Sequence, residues 1–128
     1  MHHTHNYLLA FTRLQEALAI THPSQFEKDS IIQRFEFCVE LAWKSMKEIL
    51  EIGGTIITAP NEVIRTAAQQ NLITDPTTWL EALKARNIAS HPYNQQFADE
   101  LVTTIQMRFI TILTSYAEFA QQYESNHS

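Results

Sequence analysis

The sequence predicts an all-α fold, an antiparallel bundle of four to five helices. Apolar side chains recur at steps of three and four residues over long stretches, which places them on one face of a helix with about 3.6 residues per turn. The four prolines, at 23, 60, 76 and 92, fall between those stretches, so they punctuate helices instead of breaking them. Glycine occurs only twice, too rarely to turn the strands of an all-β meander. With 128 residues and 45% hydrophobic content, the chain can enclose one core and is too short for two ordinary ones. A single domain over residues 1–128 is expected.

Each element follows from a local pattern. Tyr7, Phe11, Leu14 and Leu18 make the apolar face of a first helix that should stop near His22 and Pro23. The second lies in DSIIQRFEFCVELAWKSMKEILEIGG, where Ile31, Phe35, Val39, Ala42, Met46 and Ile49 share a face and Gly53 or Gly54 can take the left-handed C-terminal cap. A short third helix opens at Pro60 and runs to about Gln70, since proline is tolerated where the N–H groups have no helical partner. Asp75 and Pro76 read as N-cap and first residue of a fourth helix, with Trp79 and Leu83 inward. Phe97, Leu101, Ile105, Phe109, Ile112, Tyr116, Phe119 and Tyr123 form the stripe of a long last helix, a main wall of the bundle. Trp43 and Trp79 are expected in the core.

Charge narrows the function. Nine Lys and Arg against fourteen Asp and Glu leave a formal charge of −5, which excludes a protein that coats nucleic acid or an anionic membrane through its overall field. Cys38 is the single cysteine, so no intrachain disulfide forms, and no apolar run marks a secretory signal or reaches the roughly 20 residues that span a bilayer. A cytoplasmic protein with no membrane partner is expected. Ala82 to Ala98 contain no Asp or Glu while Lys84 and Arg86 are positive, so this segment reads as locally cationic and suited to phosphate. Glu36, Glu40, Lys44, Lys47, Glu48 and Glu51 read as a salt-laced solvent face. His2, His3 and His5 carry metal-binding chemistry, but a frayed terminus offers little preorganisation, and neither a metal nor a cofactor is assigned.

The stretch RNIASHPY, residues 86–93, gathers a guanidinium, an amide, an imidazole and a phenol. Arg86 lies seven residues after Trp79 and three after Leu83, so it shares the inward face of the fourth helix. In an unbroken helix Arg86 and His91 would diverge by about 140°. Pro92 disfavours helical backbone at His91, so the imidazole can turn back toward Arg86 or toward a second subunit. Without further context Arg86 reads equally as a buried arginine paired with Glu40, His91 as a cap on helix carbonyls, and Tyr93 as a packing residue.

The pattern RNxxxHxY resembles the motif of the HEPN superfamily, and four blocks in order extend the likeness: RFEFCVELAWKSMKEILEIGG, AAQQNLI, DPTTWLEAL and RNIASHPY. Together they resemble the nucleotidyltransferase substrate-binding proteins, the HepT-like branch of that superfamily. The resemblance implies a metal-independent ribonuclease toxin, paired with a small nucleotidyltransferase antitoxin that adenylylates its tyrosine. On this chain it implies Arg86 and His91 as catalytic, Asn87 as supporting and Tyr93 as the AMPylated residue. One imidazole per chain serves as either acid or base, so a homodimer that joins two motifs on RNA is expected. Two other functional classes stand beside this one, a non-catalytic substrate-binding subunit of a two-component nucleotidyltransferase and a structural dimeric helical module. The chain carries no Asp-x-Asp pair for two metals, so nucleotidyl transfer itself would belong to a partner.

Overall fold

The structure, a computed structural model, describes residues 2–89 and 95–127. They form α1 (His2–Leu18), α2 (Gln25–Ile52), α3 (Pro60–Gln69), α4 (Pro76–Ala89), α5 (Gln95–Thr104), a π-helical turn (Ile105–Phe109) and α6 (Ile110–His127), with no strand among the described residues. The all-α expectation holds.

Boundaries differ from the sequence reading where local hydrogen bonding decides them. α1 ends at Leu18, four residues before His22, and His22 takes a left-handed φ of 53°; the following Pro23 disfavours helical backbone there. Ala17 takes the last buried position and Leu18 is half-buried. α2 starts a turn earlier than its apolar run because Ser24 and Glu27 close a capping box: Ser24 Oγ accepts from the Glu27 N–H at 3.2 Å and Glu27 Oε1 accepts from the Ser24 N–H at 2.8 Å. At its other end Gly54, with φ 97°, takes the left-handed position, and the Thr55 N–H returns to the Leu50 carbonyl at 2.8 Å. α4 starts as expected, with Asp75 Oδ1 accepting from the Thr78 N–H at 3.1 Å.

Side-chain pairs fix the directions of the long helices. Thr4 meets Ser45 and Arg13 meets Arg34, so α1 runs antiparallel to α2. Tyr7 bonds to Leu113 and His5 lies near Glu124, so α1 is also antiparallel to α6. Lys28 with Asp99, Phe35 stacked on Phe109 and Ser45 with Tyr116 make α2 parallel to the rod built of α5 and α6. Phe35, Cys38, Val39, Ala42, Met46, Ile64, Ile105 and Leu113 are fully buried in one continuous cluster. Trp79 belongs to it at 1% exposure, whereas Trp43 sits half-buried at the margin, its indole N–H donating to Glu40 at 3.2 Å. Trp43 is therefore a boundary residue, contrary to the core expectation, because its polar edge needs an acceptor.

The π-helical turn explains a spacing in the sequence. Phe97, Leu101, Ile105 and Phe109 are separated by three successive steps of four, which in a regular helix rotate the stripe by roughly 120° off its face. The wider turn at Ile105–Phe109 absorbs that drift, and Ile105 and Phe109 both stay buried.

One polar chain crosses the core. Ser45 Oγ, fully buried, lies 2.6 Å from Thr4 Oγ1 and 2.7 Å from the Tyr116 hydroxyl, tying α1, α2 and α6 together. Ser45→Ala leaves two buried hydroxyls short of a partner, an effect of about 1–3 kcal/mol. Urea unfolding should show the unfolding free energy falling by that amount, as a lower midpoint with an unchanged m-value.

Candidate active site around Arg86

Arg86 stands three residues past Leu83 on the last turns of α4, with its side chain 17% exposed. Its Nη1 donates to Glu40 Oε2 on α2 in a close ion pair, while Nε and Nη2 donate to Asn87 Oδ1 at 3.2 and 2.7 Å. A guanidinium presents five N–H donors in a rigid plane, so these contacts hold its orientation. Glu40 is shared: Trp43 Nε1 donates to it at 3.2 Å and Lys44 Nζ lies 3.3 Å away. Burial alone would raise the Glu40 carboxyl, but the bonds from Trp43 and Lys44 and the Arg86 charge outweigh it and hold it below the usual carboxylate value. One turn earlier on α2, burial pushes Glu36 above that value despite the attraction of Arg86.

Glu36, Phe37, Glu40, Arg86 and Asn87 line an open depression of about 240 Å³. The sequence-predicted Arg86, Asn87 and Glu40 therefore meet in one place. His91 and Tyr93, with Ser90, Pro92 and Asn94, lie outside the described residues. Glu36 and Phe37 were not singled out from sequence as members of a site. Their offsets of four and three from Glu40 on α2 were the available signal, and only the crossing of α2 with α4 gives it meaning.

Two expectations need correction. The segment around Arg86 is acid-free along the chain, yet α2 brings Glu36 and Glu40 against it, so the depression holds two carboxylates and one guanidinium. Lys84 is no part of it and lines a different hollow with Glu81 and Glu100. Among the described residues the depression is thus not cationic, because packing supplies counter-charges that the local sequence lacks. The N-terminal histidines also stand differently: His2, His3 and His5 lie within α1, the His3 N–H donates to Glu48 Oε1 at 3.0 Å, and no group of three metal-ligating side chains occurs among the described residues. Cys38 is buried with its thiol pushed up to about 12 by desolvation, so it carries no thiolate chemistry near neutral pH.

The family model for nucleotidyltransferase substrate binding protein-like proteins matches residues 2–122. A curated relative, the probable ribonuclease HepT of Haemophilus influenzae, is 39% identical over 72 residues, 52% of this chain and 49% of the relative. The match thus spans about half the length of that relative. A Thermus thermophilus protein of known crystal structure superposes with a TM-score of 0.74 at 28% identity, covering 94% of this chain and 97% of the other. A tri-AMPylated HEPN toxin of Shewanella oneidensis, solved in complex with its MNT antitoxin, superposes with a TM-score of 0.72 at 20% identity over 96% and 97% of the two chains. The fold is that of the HEPN toxin.

The two site carboxyls have opposite pH signatures. Glu40, held low in the folded state, adds stability that is present above the ordinary carboxylate value near 4.5 and is lost as pH falls through its folded value. Glu36, held high, carries a penalty that appears as pH rises through its folded value. With Glu40 37% exposed, Glu40→Gln should cost about 1 kcal/mol at pH 7 and progressively less as pH falls below the ordinary carboxylate range. Glu36→Gln should raise the melting temperature at pH 7. Thermal melts from pH 3 to 8 read both.

Proposed function

The chain belongs to the nucleotidyltransferase substrate binding protein-like family, and we propose that it acts there as a HEPN-type toxin, a metal-independent endoribonuclease neutralised by a cognate nucleotidyltransferase. In this reading it is a single cytoplasmic domain working as a homodimer. The observation that carries the proposal is Arg86, which is oriented by Glu40 and Asn87 at the rim of an open depression, five residues before His91 in the RNIASHPY segment. The match to the probable ribonuclease HepT and the shared fold of the AMPylated HEPN toxin support it.

The chemistry asks little of the protein beyond charge placement and one proton carrier. An imidazole with an ordinary pKa near 6.5 takes the proton from a ribose 2′-hydroxyl as that oxygen attacks the adjacent phosphorus. The P–O bond to the 5′-oxygen breaks, and a second imidazole, from the other protomer, returns a proton to the leaving oxygen. His91 fills this role. Arg86 stabilises the charge gathering on the non-bridging oxygens, with Asn87 holding the guanidinium plane. Glu40 stays compensated by Lys44 and Trp43 when Arg86 shares its donors with a phosphate. Neutralisation follows from Tyr93: its phenol oxygen attacks the α-phosphorus of ATP in the partner's site, pyrophosphate leaves, and the tethered AMP places a phosphate and an adenosine where RNA would lie.

The close Arg86–Glu40 pair also favours a second reading, in which Arg86 only joins α2 to α4 and the chain presents substrate to a nucleotidyltransferase. Variants separate the two. His91→Ala and Arg86→Ala should each lower RNA cleavage, measured in chelator, by about a hundredfold or more, while helical circular dichroism persists. If Arg86→Ala unfolds the protein and His91→Ala cleaves normally, the second reading stands. Co-expression with the cognate nucleotidyltransferase should add the mass of one or more AMP units and suppress cleavage. Both effects should be lost in Tyr93→Phe.

A further inference from the structure

Most of the positive charge on this acidic chain is compensated. Among the described residues Lys28, Lys44, Lys47, Arg65, Arg86 and Arg108 each pair with a carboxylate. Arg13 and Arg34 do not, and they are neighbours across the α1–α2 seam: Arg34 Nη1 donates to the Arg13 carbonyl at 3.4 Å and its Nε to Ser30 Oγ at 3.1 Å. Both acceptors are neutral, so Arg34 is held in place without losing its charge. Lys84 also lacks a carboxylate partner, but it stands alone and apart from this pair, on the α4–α5 side.

The depression beside this pair, about 230 Å³, is lined by Ala10, Arg13, Ser30, Gln33, Arg34 and Phe37, two guanidiniums and no carboxylate. Arg13, Ser30 and Arg34 also line an adjoining hollow together with Glu16 and Glu27; neither carboxylate forms an ion pair with the arginines among the described residues, and Glu27 is engaged by the Ser24 N–H. Phe37, 55% exposed, is a wall of both this depression and the one around Arg86. Arg34, Phe37 and Glu40 follow one another at steps of three on α2, so the two depressions are roughly 9 Å apart along its axis.

We propose that the Arg13–Arg34–Phe37 surface binds the single-stranded RNA that enters the Arg86 depression, with the two arginines on successive phosphates and Phe37 stacked on a base. The proposal rests on the ribonuclease reading. It answers a difficulty in that reading: Glu36 and Glu40 offset the charge at Arg86, so affinity for a polyanion has to come from outside the reacting centre. Two uncompensated guanidiniums beside an exposed aromatic ring supply the electrostatic and stacking contacts that single strands use without sequence preference.

The test measures binding of a fluorescent 2′-O-methyl RNA of about twelve nucleotides, which cannot be cleaved through the 2′-oxygen, against salt concentration. Arg13→Gln combined with Arg34→Gln should weaken binding by about tenfold or more and reduce the slope of log K against log salt by about 1.4, two phosphates at roughly 0.7 each. A dinucleotide, too short to span both depressions, should lose less. Phe37→Ala should weaken the long strand by about tenfold with the salt slope kept. If wild type cleaves unmodified RNA while the double variant retains affinity and slope, the surface is overturned and the ribonuclease reading survives. Binding with these losses but no cleavage by wild type supports the surface and ends the ribonuclease reading. A wild type that neither binds nor cleaves overturns both. Light scattering in which Phe37→Ala dissociates a wild-type dimer, with RNA affinity intact in the arginine variant, would make this face a contact between copies and also overturn the proposal.

Discussion

α2 touches α1, α3, α4, α5 and α6, and the rest of the bundle is arranged around that one constraint. A helix of 28 residues, roughly 42 Å long, has to bury apolar surface toward several neighbours at once. Its arc from Ile31 to Met46 is buried throughout, and at Phe35 the ring stacks on Phe109 with centroids 5.3 Å apart. Ser45 is the polar exception in that arc. It is tolerated because Thr4 and Tyr116 come within hydrogen-bond distance of it, and the same bonds hold α1 and α6 in register.

The flank of α2 that crosses α4 carries the candidate site. There the constraint is electrostatic: a guanidinium 17% exposed needs a counter-charge, and Glu40 provides it while keeping Lys44 and Trp43 as its own partners. The arrangement holds Arg86 in position at the edge of solvent. It also removes net positive charge from the depression, so the arginine is oriented where the local charge is not positive. The seam between α1 and α2 offers a different balance, with Arg13 and Arg34 in no ion pair among the described residues and two guanidiniums but no carboxylate lining the depression beside them.

Much of the bundle was legible along the chain. The stripe Ile31, Phe35, Val39, Ala42, Met46 and Ile49 is buried throughout, because burial of one face follows directly from helical period. Caps written in short polar signals were legible too, at Asp75 and Gly54. The Ser24–Glu27 box was equally present in the sequence and went unread, which misplaced the start of α2 by a turn. The steps of four from Phe97 to Phe109 held the phase shift that the π-helical turn accommodates.

The candidate site divides in the same way. The sequence by itself determined that Arg86 lies on the inward side of α4 and that a proline follows His91, since both are properties of neighbours along one chain. Only the tertiary structure decided the charge that Arg86 meets. Glu36, Phe37 and Glu40 are some 50 residues away along the chain, and nothing in local period or composition says which face of α2 will cross α4. That crossing depends on how all the helices share a single core, and it set two carboxylates against the guanidinium of an acid-free segment, while Arg34, one helix turn before Phe37, joins Arg13 in a separate depression.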